Sequence, residues 1–560
     1  MGRLRSFWVC FLVFPLIPSF GQANHVQELL RVVPEDVSLV MTINDLSGNW
    51  KRVSELPWTK RLFRSPVAVA FQDQTATKNL KAANLAVQSF LGVDVKELAE
   101  KLFGDTVVVA FRHSSQGKQD EERGLLLLWV QDTELLRQAI AVVQKLQKPG
   151  TFKELRHNGL KYYLQKDPNQ DRYYFQHHNL FAFSGHKDVL CQVIDRYKAD
   201  ATAKPNGIEK QFAKLPHKKA VLTFWVNPRA FDADLDREQQ KVKNDNDAYV
   251  IAGFRPYWKA LDSAAISLTV NERMTLSLHL EGRANELPKP GRRLLYPAPP
   301  SQLWQQFPAS AVFTATGKVD VEAFLYSLKG FLSPDDRKQF ERTLQKDLGA
   351  KLVRNVFRDV VPQIGPDVGV CMVTSQESPI PHILAAVKIR EVCKGASLGS
   401  ELYQAARFFA EMAQYHHNRE HPNGPLVHVK RESQDGVEVT YLEHKSFPMG
   451  ASPAFAHKDG YLVFANSPQA IRVFRKVDQA TANKPIARLS FQSMLESLQD
   501  HKEWVVRLLA NSQSKPSREA TEWLENVTKM LSLIDKVELR QTTQPNEVTW
   551  SLIVYPSKGK

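Results

Sequence analysis

Phe175–Ile194, FQHHNLFAFSGHKDVLCQVI, and Phe455–Phe474, FAHKDGYLVFANSPQAIRVF, carry one pattern twice. Each holds a short apolar run, a polar turn, a second apolar run, and then an apolar series at helical spacing. Strand, turn, strand and helix follow from the change of period from two to about 3.6. Working outward, the likeness continues in the same order through both halves of the chain. PEDVSLVMTINDL from Pro34 answers PASAVFTATGKVDV from Pro308, and FGDTVVVAF from Phe103 answers IGPDVGVCMV from Ile364. GLLLLWV from Gly124 answers HILAAVKI from His382, and NGLKYYL from Asn158 answers DGVEVTYL from Asp435. HKKAVLTFWVNP from His217 and HKEWVVRLLANS from His501 form a further pair. The closing pair is ISLTVNERMTLSLHL from Ile266 and VELRQTTQPNEVTWSLIV from Val537. An order kept over so many segments at an offset of roughly 260–280 residues reads as a tandem duplication.

The expected organisation is a leader at 1–23, a first module at 24–286, a Pro-rich linker at 287–307 around LPKPGRRLLYPAPP, and a second module at 308–560. Apolar runs of four to eight residues joined by short turns imply largely antiparallel sheets, with helices packed on one face: an α+β class. Asp132 is placed to cap a helix bearing Leu135, Leu136, Ala139, Ile140, Val143 and Leu146 on one side. Ser467-Pro468 reads as the N-cap and first-turn proline of a helix carrying Ile471 and Phe474. A hairpin is expected to turn at Asn271-Glu272-Arg273.

The N-terminus has Arg3 and Arg5, an apolar run from Phe7 to Ile17, and small residues at Ser19, Gly21 and Ala23, the three regions of a secretory signal. Cleavage is expected after Gly21 or Ala23. Cys10 lies inside the apolar run without the small residue before it that a lipid-modified cysteine wants. Pro15 and Pro18 interrupt a run already shorter than the ~20 residues of a membrane helix. Beyond that leader remain Cys191, Cys371 and Cys393, too few and too widely spaced for a disulfide framework or zinc knuckle. A Cys371–Cys393 bond is open but not assignable.

Charge excludes little by itself. The net +14 comes from 74 Lys and Arg against 60 Asp and Glu, and it is dispersed, with 32 basic against 28 acidic residues in 301–560. Nucleic acid is not the expected partner; an anionic envelope polymer or lipid surface fits better. The chain has no G-x-S-x-G, H-E-x-x-H, phosphate-loop or C-x-x-C motif.

Weaker candidates each have a plain structural alternative. His177-His178 aligns with His457-Lys458, so a paired-imidazole metal site common to both copies is excluded and turn chemistry is what they share. His417 and His421, four apart with His416 adjacent, could share a helix face, yet Pro422 and Gly424 put them at a helix end where histidines favour the dipole. Asp232, Asp234 and Asp236 have the alternation of a calcium loop, but Arg237 stands where glycine is required and Lys243 where glutamate is. Asp105 and Asp367 hold matching positions before matching strands, as twin acids or as turn residues bonding backbone amides. Cys191 has Arg472 as its counterpart and no identifiable base. No catalytic, cofactor-binding or metal-ligating residue is therefore assigned, and no cofactor is expected.

The Pro34 opening and the YLVFANSPQAIRVF segment resemble a domain-of-unknown-function family of exported bacterial proteins built from repeated α+β units. The resemblance implies export and fold class and supplies no activity. The expected role is that of an exported, non-enzymatic protein binding an envelope or extracellular component. A hydrolase of an envelope polymer and a lipid or small-molecule carrier are the alternatives.

Overall fold

A computed structural model describes residues 25–63, 84–85, 87–114, 121–146, 150–168, 170–199, 204–216, 219–241, 245–295, 300–349, 355–375, 378–390, 398–448, 451–477, 484–513 and 516–558. The leader, Cys10, Lys243 and Cys393 lie outside them. The fold is α+β. The chain divides into two units, one of residues 1–240 with 261–282 and 558–560, the other of 241–260 with 283–557.

Among the described residues the first unit has ten strands: β1 (Leu39–Ile43), β2 (Thr106–Arg112), β3 (Arg123–Trp129), β4 (Phe152–His157), β5 (Leu160–Gln165), β6 (Arg172–His177), β7 (Leu180–Ser184), β8 (Leu222–Val226), β9 (Leu261–Val270) and β10 (Met274–Gly282). All pairings are antiparallel, in the order β4-β5-β6-β7-β3-β2-β1-β8-β9-β10. The second unit has β11 (Phe313–Lys318), β12 (Ile364–Val373), β13 (His382–Ile389), β14 (His428–Gln434), β15 (Val437–Glu443), β16 (Ala454–Lys458), β17 (Tyr461–Ala465), β18 (Ala487–Ser490), β19 (Ile534–Gln544) and β20 (Glu547–Pro556). Their order is β14-β15-β16-β17-β13-β12-β11-β18-β19-β20, again antiparallel throughout. Position for position, the strand order of one unit repeats that of the other.

Helices cover both faces of the sheet in each unit, which corrects the expectation of one covered face. In the first unit Val108, Ala110, Leu125, Leu127 and Ala182 pack with the helices Val26–Val32, Lys187–Lys198 and Gly207–Lys214. Val107, Leu126, Leu128 and Phe181 point the other way, against Leu98, Leu102, Leu135, Leu136 and Ile140 of the helices Val95–Phe103 and Thr133–Leu146. In the second unit Cys371, Leu384 and Val463 join Leu303, Phe307 and Ile471, while Val387, Phe455 and Leu462 join the helix Leu398–Glu420. The physical reason is written in TVVVAF and LLLLW. Apolar residues at both parities of a strand need a hydrophobic partner on each side, each large side chain contributing about 1.5–3 kcal/mol when fully buried.

Local expectations hold at several termini. The Leu135 amide donates to Asp132 Oδ1 at 2.9 Å, and the Ala470 amide donates to Ser467 Oγ at 3.2 Å. Asn271 closes the β9–β10 hairpin by donating to the Arg273 carbonyl at 3.0 Å. The Pro-rich stretch contains a helix, Lys289–Leu295, and a 3-10 turn, Gln302–Gln305, whose Leu303 and Trp304 are buried.

Candidate functional site

The residues singled out in the sequence do not converge. His177 and His178 sit at the β6–β7 turn, where His178 takes a left-handed φ of 49°, as Asp459 does at 54° in the matching β16–β17 turn. His177 Nδ1 lies 2.9 Å from the Tyr197 hydroxyl, and burial, then the neighbouring His178, holds its pKa below the ordinary value. His417 and His421 stack at the end of the long helix with ring centroids 4.6 Å apart, and His444 meets His417 edge-on at 5.1 Å. Sequence spacing could not reveal His444, because it arrives from the end of β15. Among the described residues no group of three or more His, Cys, Asp or Glu could hold a metal ion.

Asp232, Asp234 and Asp236 begin a helix, Asp232–Lys241, and the first two are drawn to separate partners. Asp232 pairs with Arg229 at 3.2 Å, and Asp234 with His113 and, at 2.6 Å, with Arg237. Asp105 and Asp367 are both buried but differently used. Asp105 accepts from the Thr106 hydroxyl at 2.9 Å and lies 2.9 Å from His25 Nδ1, whose ring stacks on Trp129. Burial raises the Asp105 pKa despite those partners. Asp367, inside β12, accepts the Gln302 amide at 2.9 Å, the backbone role anticipated for it but with a distant partner. Cys191 is a free, half-buried thiol, its pKa raised by burial. Cys371 is free and buried, and burial pushes its pKa up to about 12. Neither environment activates a thiolate.

The most distinctive polar constellation is one that sequence reasoning missed. A row of directly paired residues crosses the inner face of the second sheet: Cys371, Thr314, Arg488, Glu538 and Ile553 on β12, β11, β18, β19 and β20. Glu538 is buried, its side chain 4 % exposed, and Lys536 and Arg540 flank it two residues away on the same face. Its Oε1 accepts from Lys536 Nζ at 2.9 Å. Its Oε2 accepts from Arg540 Nε at 3.0 Å, Arg540 Nη2 at 2.7 Å and the Tyr555 hydroxyl at 3.1 Å. Burial pushes this carboxyl up, but the hydrogen bonds and charges of Lys536 and Arg540 outweigh it and hold the pKa below the ordinary value.

Both carboxylate oxygens are thus engaged by Lys536, Arg540 and Tyr555, and two more cations lie beside them. Arg488 stands 5.3 Å and Lys484 Nζ 5.6 Å from the Trp304 ring. Arg488 Nη2 donates to the Ala309 carbonyl at 2.8 Å, a neutral acceptor, while its buried Nε has no hydrogen-bond partner among the described residues. Burial and then the charge of Arg488 lower the Lys484 pKa. Among the described residues Lys484, Arg488, Lys536 and Arg540 lie near the Glu538 carboxylate in a partly desolvated place, where electrostatic interactions are stronger than in water. The signal in the sequence was the alternation K-x-E-x-R at Lys536, Glu538 and Arg540, three charges on one face of a strand whose Val537 and Leu539 point the other way.

Residues 100–320 match the model of a family described as a protein of unknown function (DUF3352), a stretch running from the helix Val95–Phe103 to just past β11. The similarity agrees with an uncharacterised domain family, although Pro34–Leu46 and Tyr461–Phe474, which carried the resemblance in the sequence, lie outside it. No curated protein and no solved structure matches the chain. Among the described residues no helix is long and apolar enough to cross a membrane.

Proposed function

We propose that the chain is an exported, non-enzymatic protein that binds an anionic envelope or extracellular component through the inner face of its second unit. The observation that carries this reading is the grouping of Arg488, Lys536 and Arg540 about the carboxylate of Glu538 on one sheet face, with the buried Nε of Arg488 unbonded among the described residues. Burying cations without matching anions is unfavourable, and an anionic partner offsets that cost. Export rests on the basic, apolar and small-residue regions of the first 23 residues.

The test is sedimentation of the mature chain with an acidic polysaccharide and with neutral dextran, at about 20 mM and at about 500 mM salt, where screening shortens from roughly 20 Å to roughly 4 Å. Retention on the acidic polymer that collapses in high salt, weakens in Lys536→Gln and leaves the polymer uncleaved is expected. Equal retention on both polymers, or release of shortened polymer, would overturn the reading. Export is checked by N-terminal sequencing of the chain recovered outside the cytoplasm, which should begin near residue 22 or 24.

A further inference from the structure

We propose that His417 and His421 form a site for a divalent transition-metal ion of the borderline class, Zn²⁺ or Cu²⁺, held by two imidazole nitrogens and completed by water. The site lies in the second unit and is independent of the anion-binding reading above. Two histidines four apart on a helix share a face, the spacing by which a helix presents an imidazole pair to zinc. Here that spacing persists to the helix end, because the His421 amide still donates to the His417 carbonyl at 3.0 Å. The two rings stack with centroids 4.6 Å apart and 21° between their planes. Two nitrogens on one ion, each about 2.0–2.1 Å from it, lie no more than about 4 Å from each other. A small turn of the exposed His421 ring therefore brings the pair onto one ion.

Hydrogen bonding has already sorted the ring nitrogens. His421 Nδ1 lies 3.1 Å from the His417 carbonyl oxygen, which can only accept, so Nδ1 carries the proton and Nε2 keeps its lone pair. The capping role of a histidine at a helix end thus uses one edge of the ring and leaves the other for a metal, as where a carbonyl orients a ligating imidazole. The His417 ring, which meets both His421 and His444, takes no hydrogen bond among the described residues. His444 is committed elsewhere: its Nε2 donates to the Pro425 carbonyl at 3.0 Å, and its Nδ1 accepts from the Ser446 hydroxyl at 2.5 Å. It packs against His417 without being a third ligand, in keeping with the lack of a three-ligand group among the described residues. The helix end is also fastened, so the pair is held in place. Asn418 exchanges two hydrogen bonds with the Val427 backbone, at 2.9 and 2.8 Å, and the Val429 amide donates to Gln414 Oε1 at 2.9 Å. The Gly424 amide donates to the His421 carbonyl at 3.0 Å. Imidazole donors select Zn²⁺ and Cu²⁺ over the oxygen-seeking Mg²⁺ and Ca²⁺.

The experiment is a calorimetric titration of the mature chain with zinc chloride, with magnesium chloride as the control and thermal unfolding as a second readout. Zn²⁺ should bind saturably and raise the unfolding temperature, since a ligand that binds only the folded state stabilises it by mass action, and Mg²⁺ should do neither. His421→Ala should weaken zinc binding about tenfold or more, because even the loss of a group that only orients a ligand costs about 10–100-fold. His421 lies just beyond the last helical residue, Glu420, so this variant keeps the fold, which circular dichroism verifies. His417→Ala should weaken binding to a similar degree. His416→Ala should bind as the parent does, because the adjacent helix position points about 100° away and its ring meets Tyr415 instead. If Zn²⁺ and Mg²⁺ act alike, if His421→Ala binds zinc as the parent does, or if His416→Ala loses as much as His421→Ala, the site is overturned. Salt-sensitive retention on acidic polysaccharide is read separately and should be the same in all three variants.

Discussion

The same five positions of the same strand order are filled by opposite chemistry in the two units. Across β2, β1, β8, β9 and β10 the first unit places Ala110, Val40, Trp225, Ala265 and His279. The second places Cys371, Thr314, Arg488, Glu538 and Ile553 across β12, β11, β18, β19 and β20. Beside the row, β9 offers the small residues Ser263, Ala265 and Ser267 where β19 offers Lys536, Glu538 and Arg540. Ser267 Oγ lies 3.0 Å from His279 Nε2, a local polar contact. The strand order sets where an inner face lies, and the side chains then decide whether that face is a core or a charged surface.

Exchanging the two chemistries gives the largest expected effect. Ala265→Glu inserts a carboxylate into a core shared with Val40, Ala110 and Trp225, where neither Ser263 nor Ser267 supplies a cation. A cost of about 3–5 kcal/mol follows where the directly paired His279 does not meet the buried charge, a large fraction of the stability of many domains. Circular dichroism melting should show the first unit largely unfolded. A folded variant within about 1 kcal/mol of wild type would mean that the first face tolerates charge as the second does, and the contrast would lose its meaning.

Removing the carboxylate from the second unit comes next. Glu538→Gln leaves Lys536 and Arg540 without their counter-ion, but both are about one-third exposed, so water recovers part of the loss and about 2 kcal/mol is expected. The pH dependence sharpens the comparison because Glu538 in the second unit and Asp45 and Asp105 in the first contribute with opposite signs. Glu538 is depressed below 4.5, so its contribution is present above that value and is lost as pH falls through the lower folded value. Asp45 and Asp105 are raised above 3.8, first by burial and also, for Asp45, by the nearby Asp105 charge. Their folded forms hold protons more tightly, so their contribution is fully present below 3.8 and is lost as pH rises through the raised folded values. Hydrogen exchange read separately for the two units through the carboxyl range, below about pH 5, should show Asp45 and Asp105 adding to the first and Glu538 withdrawing from the second. Asp105→Asn should blunt the gain and Glu538→Gln the loss.

How much of this the sequence disclosed depends on the range over which each determinant acts. Caps and turns are local, so Asp132, Ser467 and the Asn271 hairpin could be placed from their neighbours alone. The α+β class followed from strand-length runs and helical spacing. Double coverage of the sheets was also present in TVVVAF and LLLLW, where both parities are apolar, but reading it required weight on the parity opposite the first apolar choice. The charged site was not legible as a unit. Arg488 and Glu538 are 50 positions apart in the chain and become direct neighbours only through the β18–β19 register, while Trp304 arrives from a stretch whose prolines suggested a linker. Only Lys536, Glu538 and Arg540 share a local pattern.

Helix starts separate the units by a smaller amount. The helix Pro468–Val473 is capped by Ser467, whose hydroxyl accepts the Ala470 amide, whereas the matching helix Lys187–Lys198 begins at His186 with no side-chain cap. Ser467→Ala should cost about 1 kcal/mol, and His186→Ser should return a similar amount to the first unit. Chemical denaturation checks both. Equal and negligible changes would show that packing of Ile471 and Leu190, rather than the caps, fixes these helix starts.

The smallest expected effect addresses the histidine pair at the β6–β7 turn. His178 holds φ at 49°, a region that costs an ordinary side chain energy and costs glycine none, and the matching turn uses Asp459-Gly460 at 54° and 73°. His178→Gly should therefore keep the β6–β7 register and change stability by no more than about 0.5 kcal/mol, since relief of the backbone is offset by the greater freedom of glycine when unfolded. His177 stays bonded to Tyr197 in that variant, so the imidazole inside the fold is untouched. Binding to acidic polysaccharide should be unchanged, because every group proposed to carry it belongs to the other unit. A loss of binding in His178→Gly with the stability preserved would make the first turn a recognition element in its own right, and would transfer to the first unit a role assigned here to the second.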